Sequence, residues 1–238
     1  MKSVGLYFLC SFGLVLSARA DITLVEKVEG AGQNATMTVK IKGNKARVDA
    51  TPEVTTIIDT TTGEMMNLMN DQKAVVHISA EKMKAAMETM RKFNGAAENA
   101  AKPKLAPTGK KENINGYEAE EYTVETPAFK ARYWIAPKYP DAPAILKQLQ
   151  VLNSERLQPG NMKTPDYADF PGVPVKTVVT VGGNEITTTL TSIKQDSLND
   201  SEFTAPKDYH EIQVPEMSTA PAAPEAGKSP APQAPSKP

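Results

Sequence analysis

Residues 35–79 read ATMTVKIKGNKARVDATPEVTTIIDTTTGEMMNLMNDQKAVVHIS, and this stretch decides the fold. Apolar side chains alternate as Met37, Val39, Ile41 and again as Ala74, Val76, Ile78. A period of two marks strands with one buried face. Between the runs stand Gly43-Asn44, Thr62-Gly63 and Asn70-Asp71, residues that tolerate left-handed backbone or accept hydrogen bonds from nearby amides. The stretch therefore predicts an antiparallel meander with tight turns.

The pattern changes at Ser79. A serine there can cap a helix, and Glu81 suits the positive end of the helix dipole. Met83, Met87, Met90 and Phe93 then recur at helical spacing while Lys82, Lys84, Glu88 and Arg91 face elsewhere, which predicts an amphipathic helix ending at Asn94-Gly95. Upstream, Asp21 to Glu29 predicts a first strand, followed by a turn over Gly30 to Asn34. Downstream, 96–111 lacks any period and predicts a loop. Tyr117 to Val124 and Phe129 to Ala136 predict strands, and Tyr139 to Asn153 a second helix capped by Asp141 with Pro143 in its first turn. After a loop over 154–171, Val173 to Val181, a turn at Gly182-Gly183-Asn184 and Glu185 to Ile193 give the clearest hairpin in the chain. Phe203 to Tyr209 reads as a closing edge segment.

Composition supplies the compartment. Of 238 residues 40% are hydrophobic, enough for one sizeable core. Residues 1–20 carry a basic Lys2, an apolar run from Val4 to Leu16 and a small-residue Ala18-Arg19-Ala20 site, the layout of a cleaved secretory signal. A lipid anchor at Cys10 is the alternative, disfavoured because Tyr, Phe and Leu precede that cysteine. Cleavage after Ala20 removes the only cysteine and leaves 25 basic against 28 acidic residues, a net charge of −3. Such a chain offers no thiol chemistry and no basic surface for nucleic acid. It holds no second apolar segment of membrane length, so a periplasmic or secreted location is expected. Residues 21–214 are read as one domain, and the Pro/Ala-rich 215–238 as a disordered tail.

Catalytic signatures are missing from the sequence. Only His77 and His210 are available as histidines, and no HExxH, CxxC, GxSxG, P-loop or GxGxxG occurs. Glu118 and Glu120 share one strand face with Glu121 on the other, a weak basis for acid–base chemistry. No catalytic residue, metal ligand or cofactor is assigned. Methionine is the unusual residue: Met65, Met66 and Met69, then the stripe on the helix. It fills cores, and it also adapts to irregular apolar ligands; copper binding by the thioethers is a further, less simple reading.

The string KIKGNKARVDA–TTIIDTTTGEMMNLMNDQKAVVHIS, followed by INGYEAEEYTV, YWIA and EFTAPKDY, resembles the bacterial family called domain of unknown function 4412. It is also similar in pattern to the periplasmic lipoprotein carrier and receptor proteins. That resemblance implies a fold of the α+β class: a curved, mainly antiparallel sheet forming an open half-barrel, with two helices packed on its concave face. It implies a hydrophobic cavity and no catalytic residue. The expectation is then a non-enzymatic envelope protein holding a lipid or lipoprotein acyl chain between sheet and helices, lined by Met66, Leu68, Met83, Met87, Met90, Phe93, Ile145 and Leu149. The alternative is an interaction module that reaches an envelope protein partner through its tail.

Overall fold

The structure, a computed structural model, describes residues 21–30, 32–94, 102–127, 129–153 and 164–213. The expected leader, the tail and the loop residues 154–163 lie outside them. Twelve strands form one open sheet: β1 (Asp21–Gly30), β2 (Gln33–Lys42), β3 (Lys45–Asp49), β4 (Val54–Asp59), β5 (Glu64–Met69), β6 (Ala74–Ile78), β7 (Ala106–Ile114), β8 (Tyr117–Glu125), β9 (Lys130–Ala136), β10 (Val173–Val181), β11 (Asn184–Asp196) and β12 (His210–Glu211). Their spatial order is β12-β6-β5-β4-β3-β2-β1-β11-β10-β9-β8-β7. All pairs are antiparallel except β12 with β6. With helices α1 (Ala80–Asn94) and α2 (Ala142–Leu149) this is the expected curved half-barrel of the α+β class.

The register lays the core out in rows. Ile22 stands opposite Ile41, Ile41 opposite Ala46, and the row continues through Ile58 and Met65 to Ile78. Directly opposed residues share a face, so one apolar row crosses six strands. Leu24, Val39, Val48, Thr56, Asn67 and Val76 make the next row on that face. Over β1 to β3 the face belongs to the largest packed cluster, into which α2 inserts Ala142, Ile145 and Leu149. The short 3-10 helix Gln150–Asn153 carries the chain on toward β3.

Turn chemistry follows the residues. Gly182-Gly183 has φ of 57° and 83°, and Asn115-Gly116 has 50° and 87°. Both are two-residue hairpin turns needing two left-handed positions. The Asn115 side chain also donates to the Leu190 carbonyl of β11 at 2.8 Å, tying the β7–β8 turn back to the sheet. Asp59 accepts the amides of Thr61 and Thr62, the role its turn position implies. Ser79 caps α1, accepting the Lys82 amide on its hydroxyl at 3.3 Å.

Four expectations need correction. The loop over 96–111 is a strand in its second half: β7 starts at Ala106. Its residues are exposed except Ile114, so no alternation could reveal it, and backbone pairing with β8 alone makes it a strand. Asp141 occupies the N-cap of α2 but in left-handed backbone (φ 53°), with no side-chain cap; its carbonyl takes the amides of Ala144 and Ile145 instead. The segment 203–209 is not an edge strand. It follows a 3-10 turn, Asp200–Phe203, and only His210–Glu211 pairs with β6, in parallel. Finally, the strands around β5 are apolar on both faces, and this C-terminal segment covers the face opposite α2.

That packing centres on Phe203, 2% exposed, which meets Ile57, Leu68 and Val75. Polar ties surround it. Lys40 pairs with Glu202, the Arg47 guanidinium donates to the Glu202 carbonyl at 2.9 Å, and Lys42 donates to the Leu198 carbonyl at 2.6 Å. The Tyr209 hydroxyl donates to Asn70 at 2.9 Å. Replacing Phe203 with Ala should cost about 3–5 kcal/mol of unfolding free energy, read from urea transitions. A loss under about 1 kcal/mol would mean that the segment is not part of the cooperative core.

Candidate functional site

The face that α2 covers over β1–β3 continues across β4–β6, and burial declines along it. In the first row Ile22, Ile41 and Ala46 are fully buried and Ile58 is 8% exposed, whereas Met65 and Ile78 are only half-buried. Met69 and Val76 on the same face are also half-buried, and Val54, opposite Met69, is 42% exposed. Among the described residues, Met65, Met69, Val76 and Ile78 belong to none of the three packed clusters. Helix α1 leaves β6 at this end and meets the sheet at β5, with Met83 half-buried. An apolar strip thus lies beside an amphipathic helix.

The residues expected to line a ligand are distributed as follows. Ile145 and Leu149 are 2% and 3% exposed inside the α2 core. Leu68 is 1% exposed on the opposite side of β5, against Phe203, with Met66 packed beside it. Met83 is half-buried on α1, and the side chains of Met87, Met90 and Phe93 lie outside the described residues. The structure does not bring Met66 and Leu68 together with Ile145 and Leu149. The strip is formed by their sequence neighbours Met65 and Met69, which alternate onto the other face. Met65 and Met69 face one side of β5 and Met66 the other, a parity set by the register with β4 and β6.

Carboxylates divide into paired and unpaired. Glu120 is held below its ordinary range chiefly by a hydrogen bond from Lys111, helped by that lysine's charge. Buried Glu121 accepts the Thr108 hydroxyl at 2.9 Å, with Lys110 at 3.5 Å, and Glu118 lies 3.9 Å from Lys111. These carboxylates hold β7 to β8. Glu26 is different. It faces the same side of β1 as Ile22 and Leu24, opposite Met37 and Leu190, and burial alone pushes its carboxyl up from 4.5 to about 7. Among the described residues it has no hydrogen-bond or ion-pair partner. Sequence reading missed it, since a single Glu in EKVE gives no signal. Also among the described residues, no group of three or more His, Cys, Asp or Glu is placed to hold a metal ion, and no helix is long and apolar enough to cross a membrane.

The family model described as "Domain of unknown function (DUF4412)" matches residues 22–209, and the chain belongs to that family. No curated protein matches it. Among solved structures it is similar to PNGF-II, with 14% identity and a TM-score of 0.40 over 82% of this chain and 32% of that one; the chain spans about a third of the length of PNGF-II. It is similar to the Mycobacterium tuberculosis lipoprotein LppX, with 13% identity and a TM-score of 0.39 over 74% of this chain and 88% of that one. A putative outer membrane lipoprotein-sorting protein domain from Vibrio parahaemolyticus shares 12% identity and a TM-score of 0.33, over 79% and 90% of the two chains.

Glu26 gives a pH test of the site's burial. Its folded carboxyl holds the proton more tightly than the unfolded one, so the native state loses stability as pH rises from about 4.5 to about 7. Glu26→Gln removes that penalty. The variant should be roughly 2–3 kcal/mol more stable than the parent near pH 8 and nearly equal to it near pH 4.5, by urea unfolding at both pH values. A constant difference across the range would show that Glu26 titrates as a solvated group.

Proposed function

We propose that this chain is a non-enzymatic cell-envelope protein that binds a hydrophobic ligand, a lipid or lipoprotein acyl chain, between its sheet and its helices. The observation that carries the reading is the burial gradient along Ile22–Ile41–Ala46–Ile58–Met65–Ile78. One end is sealed by α2, while the other is left half-open beside α1. The opposite face of the same strands is filled by Phe203, so the open strip is specific to the side that carries α2. Exposed apolar surface of this kind marks a ligand or partner site. Methionine suits it, because an unbranched thioether re-packs around chains of differing shape.

In this reading the ligand lies against Met65, Met69, Val76 and Ile78 beside α1, with Ile145 and Leu149 as the wall behind. Met66 and Leu68 support the strip from behind. The secretory leader read at residues 1–20 places the protein in the periplasm or outside the cell. The role is of the same kind as the sorting role in the description of the Vibrio domain, but it rests on this chain's own residues.

The test uses a fluorescent fatty acid, 11-(dansylamino)undecanoic acid, titrated against the protein. The parent should bind with a dissociation constant in the micromolar range, and Val76→Glu should weaken binding by about tenfold or more, since a charge is then buried against the chain. Leu190→Ala, distant from the strip, should lower stability without removing binding. Absence of saturable binding by the parent, or equal binding by Val76→Glu, contradicts the proposal.

A further inference from the structure

We propose that Tyr117 and Tyr139 are a site of oxidative modification, where a one-electron oxidant joins the two rings through a carbon–carbon bond and so staples α2 to the β7–β8 hairpin. The site is independent of the apolar strip and of any ligand there.

The two rings are held in contact. Their centroids lie 4.5 Å apart with 30° between the planes, which puts ring carbons at about van der Waals distance, roughly 3.5–4 Å. Among the described residues this is the one contact between two tyrosine rings. Both side chains are half-buried and pack against the largest cluster, so each keeps support from the core and a part open to solvent. Each backbone is also fixed. Tyr117 follows the Asn115-Gly116 turn, where the Asn115 side chain donates to the Leu190 carbonyl at 2.8 Å and the Gly116 amide donates to the Asn113 side chain at 3.1 Å. Tyr139 stands in the turn between β9 and α2. Its amide donates to the Ala136 carbonyl and its carbonyl accepts the Ala142 amide, both at 3.3 Å. Two reactive rings on fixed supports meet without the entropy loss of a chance encounter.

The single cysteine, Cys10, lies in the expected leader, so a disulfide is not open to the domain, and this tyrosine pair is the covalent crosslink that its residues offer. Burial, then the charge of Tyr117 and a hydrogen bond with it, push the Tyr139 phenol up to about 12. Tyr139 is therefore protonated at neutral pH and gives up its proton together with the electron. Each phenol loses one electron and one proton to the oxidant. The two phenoxyl radicals couple between ring carbons adjacent to the hydroxyls, forming one carbon–carbon bond. The hydrogens on those carbons then move to the oxygens as both rings regain aromaticity. With hydrogen peroxide as the terminal oxidant, delivered by a peroxidase, one peroxide becomes two waters and the protein loses two hydrogen atoms. Tyr122 and Tyr209, by contrast, donate their hydroxyls to Glu120 and Asn70 and meet no second tyrosine ring among the described residues.

The experiment oxidises dilute protein with light, tris(bipyridyl)ruthenium and persulfate, and isolates the monomer. The parent monomer should gain the blue fluorescence of dityrosine. A tryptic digest should show residues 112–130 joined to 139–147 with the loss of two hydrogens. The melting temperature should rise by about 5 °C or more, as for a covalent loop closed over about twenty residues. Tyr117→Phe and Tyr139→Phe keep the rings but not the phenols, and each should lose both the fluorescence and the thermal gain, while Tyr122→Phe keeps them. Absence of the joined peptides from the parent monomer, or monomer fluorescence that persists in Tyr117→Phe and Tyr139→Phe, overturns the modification site. A joined monomer with an unchanged melting temperature overturns the staple.

Discussion

The structure depends on the register that places Ile22, Ile41, Ala46, Ile58, Met65 and Ile78 in one row. An antiparallel sheet with an apolar row must cover it, and this chain covers the row unequally. Helix α2 and the 3-10 turn after it reach only as far as β3, so the first three members are dry and the last two are not. A slip of one residue in any of these pairings would move Met66 and Leu68 onto the helix side and Met65 onto the Phe203 side. Architecture and candidate site are thus set by the same hydrogen-bonded ladder.

The two faces of β4–β6 show how one set of strands serves two purposes. On one side the C-terminal segment is fastened by Phe203 and by the Lys40–Glu202 and Arg47–Glu202 contacts, giving a rigid backing. On the other side the strip keeps half-buried Met65, Met69, Val76 and Ile78. A half-open surface depends on such support, because the exposed face contributes little packing of its own. Of the α1 side chains that are described, Ala80 and Met83 are half-buried and the others exposed.

Much of this was legible in the sequence. The alternation at Met37, Val39, Ile41 and at Ala74, Val76, Ile78, the glycine turns and the Met83 spacing predicted the strands and α1 closely. β7 escaped because its side chains are nearly all exposed, leaving no hydrophobic signal for a strand held by backbone pairing. The packing role of Phe203 escaped because one aromatic residue in EFTAPKDY does not announce a partner some 140 residues earlier in sequence. Met66 and Leu68 look equivalent to Met65 and Met69 in the sequence, and only the register with β4 and β6 separates the two faces. Glu26 could not be singled out at all, since its place between Met37 of β2 and Leu190 of β11 follows from the sheet register.

The central claim is that the helix-bearing face of β5 contacts an apolar ligand while the opposite face does not. Methyl-resolved NMR of methionine-labelled protein titrated with a fatty acid reads both faces at once. The account predicts that the Met65 and Met69 methyl signals move on saturation while Met66, against Phe203, stays in place. Equal movement of Met66, or no movement of Met65 and Met69, would contradict it.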